Sequence, residues 1–157
     1  MLKQLPIAAL VVAAAAFMAP TDARAQEFQQ NASGTCQGAL PVYDTNLRNR
    51  PMGIINVGTT GAYVSCSVYS EYAQDHTIAA VQIANPTGAD VDVSCTIITG
   101  RSSFDHTFYP LTQTFAAGSN GFMVQFLDPL VDLGTDLINA SCLLPPGVEL
   151  SYMAVVI

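Results

Sequence analysis

Two Asp-His pairs are the residues of this chain best suited to acid–base chemistry. Asp75 precedes His76, and Asp105 precedes His106. A carboxylate that contacts an imidazole can orient it as a general base. Because adjacent residues of a strand project to opposite faces, neither Asp can orient the His beside it. A hydrolase would need each carboxylate to reach the His of the other pair, and the sequence contains no Gly-x-Ser-x-Gly nucleophile motif.

Three aspartates, Asp128, Asp132 and Asp136, form the densest acidic cluster of the sequence. Carboxylate oxygens are preferred ligands of Ca²⁺, but the EF-hand spacing Asp-x-Asp-x-Asp-Gly is absent. Asp128 is also a suitable N-cap for a short helical turn that starts at Pro129, and such a turn needs no metal. We predict that the protein has no cofactor, with a calcium site at the three aspartates as the alternative.

The four cysteines, Cys36, Cys66, Cys95 and Cys142, are even in number and contain no Cys-x-x-Cys spacing. This pattern favours two structural disulfides over a redox site or a zinc site, and three pairings are open. Alternation of apolar residues places Cys66, Cys95 and Cys142 on the inner faces of strands. We therefore favour Cys95–Cys142 across the core and Cys36–Cys66 between the N-terminal arm and the body.

The first 25 residues predict the compartment in which these disulfides would form. Lys3 is followed by an apolar run from Leu5 to Met18, and Ala23-Arg24-Ala25 supplies the small residues of a signal-peptidase site. We predict a signal peptide over residues 1–25 and an exported protein, periplasmic or extracellular. The rest of the chain contains no apolar stretch of about 20 residues, so we predict no membrane span.

Charge excludes one class of partner. The full chain has a formal net charge of −7. Without residues 1–25 its only cations are Arg48, Arg50 and Arg101, against eleven acidic residues. A nucleic-acid partner would require a basic surface that neutralises phosphates, and three arginines in an acidic chain do not supply one. We therefore predict no nucleic-acid binding.

The elements that must position these residues are β-strands. Residues 26–52 are polar and rich in turn residues, which predicts an irregular N-terminal arm. Residues 53–157 contain eight short β-rich runs separated by turn residues, typical of an antiparallel β-sandwich, immunoglobulin-like or jelly-roll-like. The runs are Gly53–Val57, Ala62–Tyr69, Thr77–Asn85, Val91–Thr99, Leu111–Ala116, Phe122–Leu127, Leu137–Leu144 and Glu149–Ile157. The fold class is therefore all-β, with two disulfides.

Two of these runs resemble each other. Val64–Val68 reads Val-Ser-Cys-Ser-Val, and Val93–Ile97, which begins 29 residues later, reads Val-Ser-Cys-Thr-Ile. No third copy follows, which excludes a solenoid or a propeller. We interpret the likeness as chance similarity between two β-rich segments, with a duplicated supersecondary unit as the alternative.

Two surfaces could bind a partner. The last run, Glu149–Ile157, is apolar on both faces. This pattern is typical of a central strand, and the alternative is a docking strand for self-assembly or for another protein. Tyr63, Tyr69 and Tyr72 could form a modest aromatic platform for carbohydrate, although the chain has no Trp.

Several short motifs resemble those of a loose group of small, uncharacterised exported proteins of Gram-negative bacteria. They are Cys36–Gly38, Leu47–Pro51, Tyr63–Ser67, Val93–Thr96 and Ser141–Gly147. The resemblance implies a periplasmic or secreted β-sandwich, and it implies no activity and no site residues. Our leading prediction is an exported structural or interaction protein without catalytic activity. The alternatives are a ligand-binding module for carbohydrate or calcium, and a hydrolase that uses the Asp-His pairs.

Overall fold

The computed structural model describes residues 27–68, 78–102, 104–127 and 137–156. These residues form two antiparallel sheets, one short helix α1 (Ala32–Thr35) and a 3₁₀ turn (Pro41–Tyr43). The strands are β1 (Glu27–Asn31), β2 (Cys36–Gly38), β3 (Leu47–Arg50), β4 (Gly53–Asn56), β5 (Ala62–Val68), β6 (Ile78–Asn85), β7 (Val91–Ser102), β8 (Asp105–Phe115), β9 (Ser119–Phe126), β10 (Leu137–Leu144) and β11 (Glu149–Val156). No helix among the described residues is long and apolar enough to cross a membrane.

The strands are divided between a six-stranded and a five-stranded sheet. The six-stranded sheet has the order β3-β4-β11-β6-β9, and β1 also pairs with β11. The five-stranded sheet has the order β2-β5-β10-β7-β8. From β4 onward the chain changes sheet at every connection except β7–β8. This alternation resembles a jelly roll rather than an immunoglobulin fold, in which hairpins join neighbours of one sheet.

The core lies between the two sheets because apolar residues alternate along the strands. In β5, Ala62, Val64, Cys66 and Val68 are buried, and Tyr63 and Ser67 between them are exposed. The largest fully buried side chains come from both sheets: Ile54, Ile83, Met123, Leu150 and Met153 from the six-stranded one, and Val64, Val93, Ile97, Ile138 and Leu144 from the five-stranded one. The predicted all-β sandwich is therefore confirmed.

The N-terminal segment is more regular than predicted. Each of the eight predicted runs overlaps one strand from β4 to β11, although β8 begins at Asp105, six residues before the predicted start at Leu111. Residues 27–50, expected to lie in an irregular arm, instead add β1, β2 and β3 to the sheets. Each of these strands pairs with one neighbouring strand only. Its backbone is ordered by hydrogen bonds, while many of its side chains stay in solvent. Strands of this kind lack the apolar alternation on which the prediction rests.

Both disulfides lie in the five-stranded sheet. Cys36 is bonded to Cys66 and Cys95 to Cys142, which are the two pairs favoured from the sequence. Each pair joins directly opposed residues of neighbouring strands, β2 with β5 and β10 with β7. The Cys95–Cys142 bridge therefore runs within one sheet and does not cross the core as expected. The reason is that β7 and β10 are neighbours in this sheet, which chain order alone does not reveal.

The C-terminal strand β11 is central. It pairs with β6 along one edge, and with β4 and β1 along the other. Its apolar residues therefore reflect burial within the sheet, the first of the two interpretations. Because both edges are occupied, the strand has no free backbone groups with which to pair with another chain. Self-assembly through the C-terminal strand stays a prediction.

Two buried asparagines close equivalent crossings between the sheets. Asn56 ends β4 and Asn85 ends β6, 29 residues later. In each turn the amide nitrogen donates to the carbonyl four residues on, Thr60 or Ala89, and the amide oxygen accepts from the backbone N–H two residues on. The strands that follow, β5 and β7, carry the two similar sequence segments. The likeness interpreted as chance therefore coincides with a repeated strand–turn–strand unit.

Candidate ligand-binding site

A pocket of about 290 Å³ opens where edge strands of the two sheets meet. On one side lies β2 of the five-stranded sheet, and on the other lie β3 and β4 of the six-stranded sheet. The lining residues are Cys36, Gln37, Gly38, Asp44, Leu47, Arg48, Asn49 and Ile54. Seven of these eight residues lie in the segment expected to be irregular. Neither the pocket nor the short strands β2 and β3 beside it were therefore predicted from the sequence.

The 3₁₀ turn places Asp44 at the pocket. Pro41 occupies the first turn of this helix, where its missing N–H costs no hydrogen bond. The Asp44 backbone N–H then donates to the Pro41 carbonyl at 3.2 Å. The carboxylate lies over the backbone of Gly38, since a Cβ built there would come 2.5 Å from Asp44 Oδ1. The absence of a side chain at Gly38 thus leaves room for the carboxylate.

The polar groups of the pocket are complementary in their hydrogen bonding. Arg48 supplies only donors, ionised Asp44 supplies only acceptors, and Gln37 and Asn49 supply both. Within the described part of the chain, neither Arg48 nor Asp44 has a side-chain hydrogen bond or an ion pair. Their bonding capacity is therefore available to a ligand. Such a set is suited to a neutral ligand that is rich in hydroxyl groups.

Two tyrosines are connected to pocket-lining residues, one through the chain and one through a backbone hydrogen bond. Tyr43 immediately precedes Asp44, and the Tyr63 carbonyl accepts from the backbone N–H of Ala39, next to Gly38. The two rings lie 5.9 Å apart between centroids at an angle of 56°. Tyr63 was expected in an aromatic platform, whereas Tyr43 was not. The other predicted members, Tyr69 and Tyr72, lie outside the described residues.

The residues considered for catalysis are only partly described. Asp105 and His106 are exposed on β8, and the His106 ring contacts Phe108 edge-on at 4.6 Å between centroids. Asp75 and His76 lie outside the described residues, so the cross-pair stays a prediction.

The residues considered for metal binding give no site that can be described. Asp128, Asp132 and Asp136 lie outside the described residues, so the calcium alternative is untested. Among the described residues, no group of three His, Cys, Asp or Glu side chains could hold a metal ion. All four cysteines are oxidised, so none can supply a thiolate ligand.

The outer face of the five-stranded sheet is rich in hydroxyl groups. Ser67 Oγ donates to Asn139 Oδ1 at 2.6 Å, and Thr114 Oγ1 donates to Asp92 Oδ1 at 2.6 Å. Ser94 and Thr112 are 3.0 Å apart between hydroxyl oxygens. These pairs connect neighbouring strands across the surface, so the hydroxyl groups bond to polar side chains of the same face.

The outer face of the six-stranded sheet is apolar by contrast. Phe122, Val124 and Phe126 on β9 are 42%, 46% and 71% exposed. Across the sheet, the Phe122 ring meets the Tyr152 ring of β11 edge-on at 5.7 Å between centroids. Ala80 lies on β6, the strand between β9 and β11, and is opposite Val124. The part of this face beside β9 therefore offers aromatic and aliphatic surface without charge.

The fold is similar to that of known carbohydrate-binding modules. A xylan-binding module, CBM15, superposes with a TM-score of 0.56 at 7% sequence identity, covering 85% of this chain and 97% of that one. The CBM36-1 domain of a multidomain xylanase from the hindgut metagenome of Trinervitermes trinervoides gives 0.50 at 13% identity, covering 83% and 96%. A scan against protein-family models and a search of curated proteins found no match. At these identities the likeness shows the β-sandwich fold alone.

Proposed function

We propose that this protein is an exported, non-catalytic module that binds carbohydrate in the pocket between β2 and β3. The observation that carries the proposal is the lining of that pocket. Gln37, Asp44, Arg48 and Asn49 are among the residues that line it, and all four are exposed. Vicinal hydroxyl groups of a sugar both donate and accept, and a set of this kind can match them in pairs.

The size of the pocket limits what it would hold. Its volume of about 290 Å³ is at the lower end of the ~300–1,000 Å³ typical of small-molecule sites. One sugar unit of a chain would therefore enter, while its neighbours would extend along the edge. Tyr43 adjoins Asp44 in the chain and its ring meets the ring of Tyr63, and one of these rings would pack against the apolar face of an adjacent sugar.

The lining favours binding over hydrolysis. Glycosidases generally require two carboxylates on opposite sides of the bond that breaks, about 5–9.5 Å apart. Asp44 is the one carboxylate among the described residues that line the pocket. A single carboxylate can accept hydrogen bonds from hydroxyl groups but cannot act as both acid and nucleophile.

The structural neighbours support this choice of ligand class. One is named as a xylan-binding module and the other as a domain of a xylanase. They indicate that a sandwich of this shape can serve as a scaffold for carbohydrate recognition. Export fits the same role, since the predicted signal peptide and the two disulfides both belong to an oxidising compartment.

Calorimetry with oligosaccharides derived from xylan, cellulose, mannan and galactan tests the proposal. We expect at least one to bind, and Arg48→Ala to weaken that binding by tenfold or more, because a hydrogen bond from a charged donor contributes about 1.5–3 kcal/mol. Arg50→Ala is the matched control, since Arg50 lies on the same strand but does not line the pocket. Lack of binding by all four classes, or equal losses in the two variants, would contradict the proposal.

A further inference from the structure

The edge strands of the two sheets differ in how well they are protected against pairing with another chain. A free strand edge exposes backbone N–H and C=O groups, and proteins usually block it with charges, proline or shortness. Arg48 and Arg50 lie on β3, Asp105 and Pro110 lie on β8, and β2 has only three residues. These edges all carry one of the usual protections.

Strand β9 lacks such protection. It forms the end of the six-stranded sheet beyond β6, and its eight residues, Ser119–Phe126, include neither a charged residue nor a proline. No other strand of the described residues pairs with its outer edge. The side chains beside that edge are Phe122, Val124 and Phe126, each more than 40% exposed. This combination is typical of a strand that pairs with a further strand.

We propose that β9 pairs antiparallel with β9 of a second copy of this chain, so that the two six-stranded sheets become one continuous sheet. A two-fold axis at Val124 would place Val124 opposite its own copy and Phe122 opposite Phe126 of that copy. Aromatic residues in such cross-strand positions stabilise antiparallel pairs. Because the contact uses the same strand on both chains, the assembly closes as a dimer.

Charge favours pairing with a second copy through β9 over pairing with a second copy through β3 or β8. The chain has a net charge of −7, so two copies repel each other overall. Pairing through β3 would bring Arg48 and Arg50 close to their own copies, and pairing through β8 would do the same for Asp105. Only uncharged residues meet when β9 pairs with itself, and therefore no like charges lie opposite each other across the new strand pair.

The size of the contact indicates a weak dimer. With the axis at Val124, only the five residues Phe122–Phe126 of each β9 lie opposite one another. At about 3.4 Å each they span roughly 17 Å, and one added strand pair of this length buries less than the ~800 Å² per partner of a stable complex. Association should therefore depend on concentration, with a dissociation constant on the order of 10–100 µM. The pocket between β2 and β3 lies on a different edge of the sandwich, so dimerisation would leave it open.

Sedimentation velocity of the oxidised protein between about 5 and 500 µM tests the proposal. We expect a shift from monomer to dimer that Val124→Lys abolishes, because it places two like charges at the centre of the strand pair. Thr112→Lys, on the exposed face of β8, is the matched control and should dimerise as the unaltered chain does. A chain that stays monomeric throughout, or two variants that behave alike, would overturn the proposal.

A crosslink tests the register separately. With the axis at Val124, a Val124→Cys variant should form a disulfide-linked dimer on mild oxidation, since opposed Cβ atoms of neighbouring strands lie close enough to be bridged. Thr112→Cys should not. If the protein dimerises but the Val124→Cys variant does not crosslink, this pairing is excluded. The proposal is also overturned if β9 pairs with a different protein in place of a second copy.

Discussion

The two sheets of this sandwich differ in what stabilises them and in what they present to solvent. The five-stranded sheet contains both disulfides and an outer face on which polar side chains of neighbouring strands bond to one another. The six-stranded sheet contains none of the four cysteines, has an apolar outer face and ends in the uncharged strand β9. Covalent stabilisation is therefore concentrated in one sheet. In the other sheet, β3 and β4 line the proposed binding pocket together with β2, and β9 forms the proposed dimer contact.

Removal of the central disulfide should have the largest effect. Cys95→Ala combined with Cys142→Ala opens a bridge between residues 47 apart in sequence. On the chain-entropy relation this should lower the free energy of unfolding by about 4 kcal/mol, because the unfolded chain gains conformational freedom. Urea unfolding at 25 °C measures the change. A loss below about 1 kcal/mol would mean that the unfolded chain is little restricted by the bridge.

The second disulfide makes the comparison sharper. Cys36→Ala with Cys66→Ala opens a bridge between residues 30 apart and should cost slightly less, about 3.5 kcal/mol. It also releases β2, which lines the pocket, so ligand binding should weaken in this variant. The Cys95/Cys142 variant should bind as the unaltered chain does under conditions where both are folded. If the Cys36/Cys66 and Cys95/Cys142 variants bind the ligand equally well, the bonded position of β2 is not needed for the pocket.

Substitution of the buried asparagine at a crossing between the sheets should cause the next largest loss of stability. Asn85 is fully buried, and its amide nitrogen donates to the carbonyls of Ala89, Phe115 and Ala116 at 2.9–3.0 Å. Asn85→Ala leaves these buried acceptors with fewer partners, so we expect a loss of about 2–3 kcal/mol. Differential scanning calorimetry and urea unfolding measure it.

Asn120→Ala is the control for this substitution. Asn120 is an exposed residue of β9, so the same change there should lie within about 0.5 kcal/mol. If Asn85→Ala falls in that range too, the carbonyls must find other donors, and the buried amide would not be what holds the crossing together. The equivalent residue, Asn56, donates to Thr60 and Leu144 and should respond as Asn85 does.

The sequence predicted the interior of the sandwich but not its edges. Apolar alternation identified β4 to β11, since each has at least one face in the core. It missed β1, β2 and β3, because short strands at the margin of a sheet expose most of their side chains. The placement of Cys66, Cys95 and Cys142 on inner faces favoured the correct pairs, whereas the order of strands within a sheet depends on long-range pairing that no local pattern encodes.

The candidate site escaped prediction for the same reason. Gln37, Asp44, Arg48 and Asn49 are separated by turns, and only the pairing of β2 with β5 and of β3 with β4 brings them together. One signal was present in the sequence. Pro41, three residues before Asp44, can begin a helical turn, and such a turn orders a segment that composition describes as irregular.

The outer faces give the smallest expected difference. Phe122→Thr removes a ring that is 42% exposed and meets Tyr152 edge-on, so it should cost about 1 kcal/mol from lost packing and the aromatic pair. On the other sheet, Thr112→Val removes a hydrogen bond to Ser94 from an exposed position and should lie within about 0.5 kcal/mol, because Val is equally favoured in strands. Urea unfolding at a protein concentration of about 5 µM keeps the protein monomeric, so the two values report the stability contributed by each outer face of one molecule.

If Phe122→Thr is as neutral as Thr112→Val, the apolar face adds nothing to the stability of the monomer. Its aromatic residues would then be explained only by contacts with a second molecule.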